Sequence, residues 1–148
     1  MKKQITILSG AGISAESGIS TFRDSDGLWE NHRIENVATP EAWQRDSKLV
    51  LEFYNLRRKQ LLEVEPNRAH FAITELQEKF NVQVITQNVD DLHERARNEN
   101  MLHLHGELKK ARSTAYPFQV YDLEEWELNA GDKCENGHQL RPHIVWFG

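Results

Sequence analysis

A short apolar strand followed by a glycine-containing loop constrains this chain most. The strand is predicted at Gln4–Leu8, and the loop begins directly after it. Gly10, Gly12 and Ala15 fit the pattern G-x-G-x-x-G/A, in which the first glycine permits a tight turn and the second lets the backbone approach a pyrophosphate. A purely structural turn is the alternative interpretation of these glycines.

The continuation of the loop favours the nucleotide interpretation. The chain runs on to residue 23 without the apolar periodicity of a helix, through a further glycine, Gly18, to the pair Phe22–Arg23. A plain strand-to-helix turn needs neither an aromatic residue nor a cation at this position. We therefore predict a loop that holds the phosphates of a nucleotide.

Composition excludes several classes of function. A length of 148 residues predicts one domain, and a net charge of −5 argues against non-specific binding to nucleic acid. No apolar run is long enough to span a membrane. The only cysteine, Cys134, cannot form an internal disulfide, which is typical of a cytoplasmic protein.

Strands alternate with helices along the chain, which predicts an α/β fold with a Rossmann-like, largely parallel sheet. The predicted strands are Gln4–Leu8, Val82–Thr86, Met101–His105 and His143–Phe147, and the predicted helices are Ser47–Val64, Arg68–Phe80 and Val89–Arg97. The second and fourth strands are nearly continuous apolar runs, as in strands covered on both faces. The polar stretches 24–45 and 107–142 are predicted as long functional loops or small modules. No second strand ending in an acidic residue follows the glycines, which argues against a dehydrogenase.

Polar side chains follow the second predicted strand. Gln87, Asn88 and Asp90 come directly after it. Ligands of open α/β sheets bind outside the carboxyl ends of the strands, so these side chains are placed to bind ribose hydroxyls or a carboxamide. Capping of the next helix by Asn88 and Asp90 is an equally good interpretation from position alone.

Two histidines end the third predicted strand. Alternation puts His103 and His105 on one face, and His105 lies beside Gly106, where a ligand could approach closely. A histidine titrates near neutral pH and can act as a general base. A hydrogen-bonded structural histidine is the alternative for each, and a metal site is less favoured because no third ligand lies nearby in sequence.

Together these stretches resemble the sirtuins, the NAD-dependent protein lysine deacylases. The matching segments, in order along the whole chain, are Gly10-Ala11-Gly12-Ile13-Ser14 with Gly18-Ile19 and Phe22-Arg23, Gln87-Asn88-Val89-Asp90, His103-Leu104-His105-Gly106, and Leu140 to Gly148. The resemblance implies one partial sirtuin-type catalytic domain over residues 1–148. Its parts would be a cofactor-loop and helical segment at 24–66 and a zinc-ribbon-like remnant at 107–142.

The resemblance also implies a role for each matching residue. His105 would be the general base. NAD would be bound by Gly10, Ala11, Gly12, Ile13, Ser14, Ala15, Glu16, Gly18, Phe22, Arg23, Trp29, Gln87, Asn88, Val89 and Asp90. The acylated lysine of a protein substrate would lie beside Val145, Trp146 and Phe147, with Trp146 and Phe147 forming an apolar channel. A core role is the alternative for this last segment.

One helical face suggests which acyl group is removed. Tyr54 and Arg57 lie one turn apart, flanked by apolar residues. A Tyr-x-x-Arg at this place looks like the sirtuins that remove succinyl and malonyl groups, whose carboxylate such a pair could bind. The alternative is that Arg57 only extends its head to solvent at the helix edge, as we expect for Arg58.

The sequence departs from the family in two places. Most sirtuins hold a structural zinc with four cysteines, whereas Cys134, His138 and His143 here do not form a recognised zinc pattern, so we expect no metal. The chain also stops at Gly148, before the residues that hold the adenosine half of NAD in the family, and so looks C-terminally truncated. An NAD hydrolase and a non-catalytic NAD- or acyl-peptide-binding module therefore stand as alternatives to a deacylase.

Overall fold

The structure is a computed structural model that describes residues 1–20, 28–29 and 31–148, with only the backbone described at 28–29. The predicted NAD contacts Phe22 and Arg23 and the side chain of Trp29 lie outside the described residues. The elements are β1 (Lys3–Ser9), α1 (Gly12–Ala15), β2 (Leu28–Trp29), β3 (His32–Arg33), α2 (Ile34–Val37), α3 (Pro40–Arg45), α4 (Ser47–Leu61), α5 (Arg68–Leu76), β4 (Phe80–Thr86), α6 (Leu92–Arg95), β5 (Met101–His103), β6 (Gly106–Ser113), β7 (Val120–Asp122) and β8 (Leu140–Ile144).

A parallel sheet confirms the predicted α/β class. Its strand order is β1-β4-β5, and the register pairs Ser9 with Thr86 and Thr86 with His103. The carboxyl ends of the three strands therefore meet at one edge. Val82 and Val84 of β4 pack with Ile73 of α5 on one face of this sheet.

Side-chain caps set where the main helices begin. The Asp46 carboxylate accepts a hydrogen bond from Leu49 N at 3.0 Å at the start of α4, and Asn67 forms a capping box with His70 at the start of α5. Both helices end earlier than predicted. Phe80 begins β4 rather than ending α5, since its apolar side chain fits either pattern.

A second, antiparallel sheet corrects the prediction for the end of the chain. Its order is β7-β6-β8, so the last strand is Leu140–Ile144 and pairs with β6, not with the parallel sheet. The predicted strand His143–Phe147 is therefore wrong, because an apolar run does not reveal which sheet it joins. The stretch 107–142, predicted as a loop or small module, contains most of this sheet.

The main core lies around α4. Val50, Phe53 and Tyr54 of this helix pack with Ile144 and Trp146 from the end of the chain. None of the helices in the described residues combines the length and apolar character needed to cross a membrane.

Candidate functional site

A cleft opens at the carboxyl ends of the parallel strands. It encloses about 690 Å³, including its open mouth. Eleven of its lining residues were predicted as site residues from sequence, and they are Ala11, Ser14, Tyr54, Arg57, Gln87, Asn88, Val89, Asp90, His105, Val145 and Phe147. Residues from five separate parts of the sequence thus meet in one cleft.

The glycine loop forms one wall of this cleft. A Cβ added at Gly12 would meet nothing within 4 Å, so the space beside this backbone is open, while Gly18 has a φ of +98° that favours glycine. The side chain of Ile13 packs against the core under the parallel sheet. The remaining predicted loop residues do not line the cleft, and they are Gly10, Gly12, Ala15, Glu16 and Gly18.

A buried polar network joins the loop to the end of β4. Ser14 Oγ donates to Asp90 Oδ2 at 2.9 Å and accepts from Asn88 Nδ2 at 3.1 Å. Burial raises the pKa of Asp90, although the hydrogen bonds from Leu92 N and Ser14 act against this rise. The capping alternative is thus partly correct for Asp90, which accepts a hydrogen bond from Leu92 N at the start of α6. The Asn88 side chain instead donates to Ser14 Oγ in the cleft wall.

The two histidines on one face have different surroundings. His105 is exposed, and its Nδ1 lies 3.1 Å from the carbonyl of Gln87. A proton on Nδ1 leaves Nε2 as an acceptor that a general base requires. His103 is half-buried, with Nδ1 2.8 Å from the carbonyl of Asn88 and Nε2 2.5 Å from Glu94 Oε1.

The predicted Tyr–Arg pair reaches the same cleft as His105. Tyr54 is fully buried and Arg57 is nearly so, so Arg57 does not extend to solvent at the helix edge. Trp146 Nε1 donates to the Tyr54 hydroxyl at 3.1 Å. Burial raises the pKa of Tyr54 to about 12, which keeps this hydroxyl protonated at neutral pH.

The expectation for Arg58 is wrong, because this side chain is buried rather than exposed at the helix edge. Its guanidinium donates to the carbonyls of Trp126 at 2.7 Å and Leu108 at 3.2 Å, and to Asn55 Oδ1. The two carbonyls come from segments distant in sequence, so helical periodicity does not reveal them, whereas Asn55 lies one turn away on the same helix.

The last segment divides between the cleft and the core. Val145 and Phe147 are half-exposed and line the cleft. Trp146 points the other way, where its ring lies 3.4 Å from the guanidinium carbon of Arg141 and 5.8 Å from Trp43. The expected channel of Trp146 and Phe147 is therefore corrected: Phe147 lines the cleft, Trp146 does not, and the Trp146 indole N–H donates to Tyr54, which lines it.

Two groups near the site were not predicted from sequence. His70 and His93 form a buried edge-to-face pair, with His93 Nε2 3.0 Å from Ser9 Oγ. Burial, together with His70, lowers the pKa of His93 to about 4. The signal that could have found His70 is its position on the buried face of α5, one turn before Ile73.

Potential metal ligands lie elsewhere than in the cysteine segment. Cys134 is buried with Sγ 3.7 Å from Ser113 Oγ, and the ring of His138 packs on Tyr116. In the part of the chain that the structure describes, the three side chains close enough to share an ion are Glu94, His103 and Glu107.

Comparison with known proteins agrees with this arrangement. The Sir2 family profile matches residues 10–148. The chain is 58% identical over 151 residues to an NAD-dependent protein deacylase of Bacteroides thetaiotaomicron and 59% identical over 146 residues to one of Helicobacter pylori. In each case 99% of this chain is covered, but only 64% and 63% of the relative.

A solved structure shares the fold. A crystal structure of a Sir2 homologue–NAD complex superimposes with a TM-score of 0.86 at 43% identity, over 99% of this chain and 58% of that one. The chain thus spans less than two thirds of the length of each of these three proteins. The profile match over residues 10–148 and the shared fold establish that this chain belongs to the Sir2 family, the sirtuins.

Proposed function

We propose that this chain carries the acyl-transfer centre of an NAD-dependent protein lysine deacylase. The observation that supports this most is the meeting of Ser14, Asn88, Asp90 and His105 in one cleft at the carboxyl ends of the parallel strands. The relatives named above as NAD-dependent deacylases support the same activity. The substrates would be acylated lysines of proteins.

The chemistry of the cleft fits NAD. The cleft is open beside Ala11 and Ser14 of the glycine loop, and the Asn88 amide and the Asp90 carboxylate offer partners for a carboxamide and hydroxyls. When bound, NAD would supply an ADP-ribose acceptor for the acyl group and release nicotinamide. Phe22, Arg23 and Trp29 remain proposed contacts that lie outside the described residues or side chains.

His105 is the proposed general base. Its exposed ring is oriented by the Gln87 carbonyl at Nδ1, so Nε2 is the atom that would take a proton from a ribose hydroxyl. Val145 and Phe147 would contact the aliphatic stem of the lysine, because both line the cleft with exposed apolar side chains.

The proposed preference is for succinyl and malonyl groups over acetyl. Arg57 lines the cleft as a cation, and Tyr54, protonated at neutral pH, accepts its hydrogen bond from Trp146 and so keeps its own proton to donate. Both could bind an acyl carboxylate. Hydrogen bonds to charged groups contribute about 1.5–3 kcal/mol, or roughly ten- to a hundredfold in rate.

The test compares deacylation rates on succinyl- and acetyl-lysine peptides. Arg57→Met should lower the succinyl-to-acetyl ratio of kcat/KM by roughly ten- to a hundredfold, and Tyr54→Phe should lower it less. Lys48→Met is the matched control, since Lys48 is exposed on the same helix and pairs with the exposed Glu52. An unchanged ratio in Arg57→Met would show that this arginine does not select the acyl group.

A further inference from the structure

The last row of the parallel sheet is polar where the row before it is apolar. Ile7 of β1 and Val84 of β4 lie side by side on the face that packs with Ile73 of α5. Two residues further along each strand, on the same face, the neighbouring pair is Ser9 and Thr86. Thr86 is fully buried, and a valine would have the same shape without a hydroxyl to satisfy. The hydroxyl therefore needs hydrogen-bond partners inside the protein.

The Thr86 hydroxyl oxygen accepts two hydrogen bonds and so uses both of its lone pairs. Asn88 N donates to it at 3.0 Å, and Ser9 Oγ donates to it at 2.9 Å. Because Ser9 gives its proton to Thr86, Ser9 Oγ can accept one from His93 Nε2, which lies 3.0 Å away. Hydrogen bonds thus join α6 and β1 to the backbone of Asn88.

These hydroxyls hold Asn88 from outside the cleft. Asn88 lines the cleft, whereas Ser9 and Thr86 do not. Thr86 holds the backbone nitrogen of Asn88, while Ser14 Oγ, 3.1 Å from Asn88 Nδ2, holds its side chain. The Ser9 carbonyl also accepts from Gln87 N at 3.0 Å, and Ser9 directly precedes the glycine loop. The Ser9–Thr86 pair therefore ties together two walls of the cleft.

A local turn alone would not require this arrangement. A threonine hydroxyl that accepts from the N–H two residues later can form a turn of its own at the end of a strand. Such a turn uses one lone pair and needs no partner from another strand. Here Ser9, 77 residues away in the sequence, donates to Thr86 as well and so orients its hydroxyl. The hydrogen bond from Asn88 N is therefore set by tertiary structure as well as by the turn.

We propose that Thr86 is a positioning residue of the cofactor site: its hydroxyl, oriented by Ser9, fixes the backbone of Asn88 so that the Asn88 side chain meets NAD in the cleft. This inference rests on the proposed function for the identity of the ligand, NAD. It does not rest on that function for the hold of Thr86 on Asn88, which can be measured without a ligand. Thr86 acts through Asn88 and does not itself touch the cofactor.

The first test is amide hydrogen exchange in the ¹⁵N-labelled chain, followed by NMR. Thr86→Val keeps the shape of the side chain but removes the acceptor, so the Asn88 N–H should exchange roughly three- to tenfold faster than in the wild type. The Val84 N–H, which donates to the Asn100 carbonyl at 2.9 Å, is the internal reference that corrects for any change in overall stability. Thr86→Ser keeps the hydroxyl and should restore slow exchange at Asn88.

The second test is NAD affinity, measured by calorimetry. Thr86→Val should raise the Kd for NAD roughly three- to tenfold, because one hydrogen bond that orders Asn88 is lost, and Thr86→Ser should restore the wild-type value. Ser9→Ala should raise the Kd less. Adding Ser9→Ala to Thr86→Val should change the Kd little further, because Ser9 acts through Thr86. Ile73→Val is the matched control, since it alters the core on the same face of the sheet and should leave the Kd unchanged.

Three results would overturn the positioning role. The first is an unchanged exchange rate of the Asn88 N–H in Thr86→Val, measured against Val84, and the second is an unchanged Kd for NAD in that variant. The third is a rise in Kd that Ile73→Val reproduces or Thr86→Ser does not reverse, since loss of packing would then explain it. Normal NAD binding with the expected variant effects but no deacylation would count against the proposed function alone. An absence of NAD binding in the wild type would also count against that function, and the exchange rate would then decide the role of Thr86.

Discussion

Arg58, the buried arginine on α4, offers a sharp test of what holds β6 and the 126–128 segment against this helix. Arg58 donates to the carbonyls of Trp126 and Leu108, and Asn55 beside it both donates to Leu128 O and accepts from Leu128 N. Arg58→Met preserves most of the side-chain volume but removes the guanidinium. Two carbonyls then lose their donor, that of Leu108 in a buried hydrogen bond and that of Trp126 in a partly buried one, at about 1–3 kcal/mol each.

The net effect is smaller than that sum. Burial lowers the pKa of Arg58 to about 10, because removing the charged guanidinium from water costs free energy. Arg58→Met removes that desolvation cost. We therefore expect a loss of about 2–4 kcal/mol in the free energy of unfolding. The stability of Arg58→Lys should lie between those of the wild type and Arg58→Met, because an ammonium group at the end of a flexible stem cannot reproduce the fork geometry of a guanidinium.

Urea denaturation followed by circular dichroism measures this loss as a shift in midpoint at constant slope. Arg68→Met is the control, because Arg68 is exposed on α5, and it should change stability by less than about 0.5 kcal/mol. If Arg58→Met were as stable as Arg68→Met, the guanidinium would not be what anchors the 126–128 segment to α4.

Four other substitutions test separate features of the fold and the cleft. Gly106→Ala should destabilise by about 3 kcal/mol or more in the same assay, since its φ is +84° and a Cβ would lie 2.0 Å from the His143 carbonyl oxygen; near-wild-type stability would refute the close approach. His105→Asn should lower kcat about 10²–10⁴-fold while NAD affinity measured by calorimetry is retained; a parallel loss of affinity would argue against a base. His93 has its pKa lowered from 6.5 to about 4, so the unfolded chain binds more protons in that range. Stability should be complete above pH 6.5 and fall between pH 6.5 and 4, by at most about 3 kcal/mol, and the fall should shrink in His93→Gln; an equal fall in that variant would assign it to other groups. Trp146→Phe should cost about 1 kcal/mol by removing the donor to Tyr54, and an unchanged midpoint would argue against that bond.

The parallel sheet and its site could be predicted because the signals are local. The β1 strand and the glycine loop adjoin in sequence, and Gln87–Asp90 directly follow β4, so the rule for carboxyl ends was enough to bring them together. The pairing of Tyr54 with Arg57 could also be predicted, because helical spacing alone puts them on one face.

The second sheet and the buried charges could not be predicted in this way. The pairing of β6 with β8 joins residues some thirty positions apart, and neither strand carries a pattern that names its partner. Arg58 and His103 are satisfied by carbonyls of remote segments, and periodicity contains no information about backbone acceptors. For Trp146 the core alternative is the correct one, and alternation in an apolar run could not decide between cleft and core.

The most direct test of the central claim is the mass of the ADP-ribose product formed from NAD and a succinyl-lysine peptide. A deacylase that works as proposed should form ADP-ribose carrying the succinyl group, in equal amount to the deacylated peptide, and His105→Asn should form none. Unmodified ADP-ribose, released at the same rate with and without peptide, would contradict it.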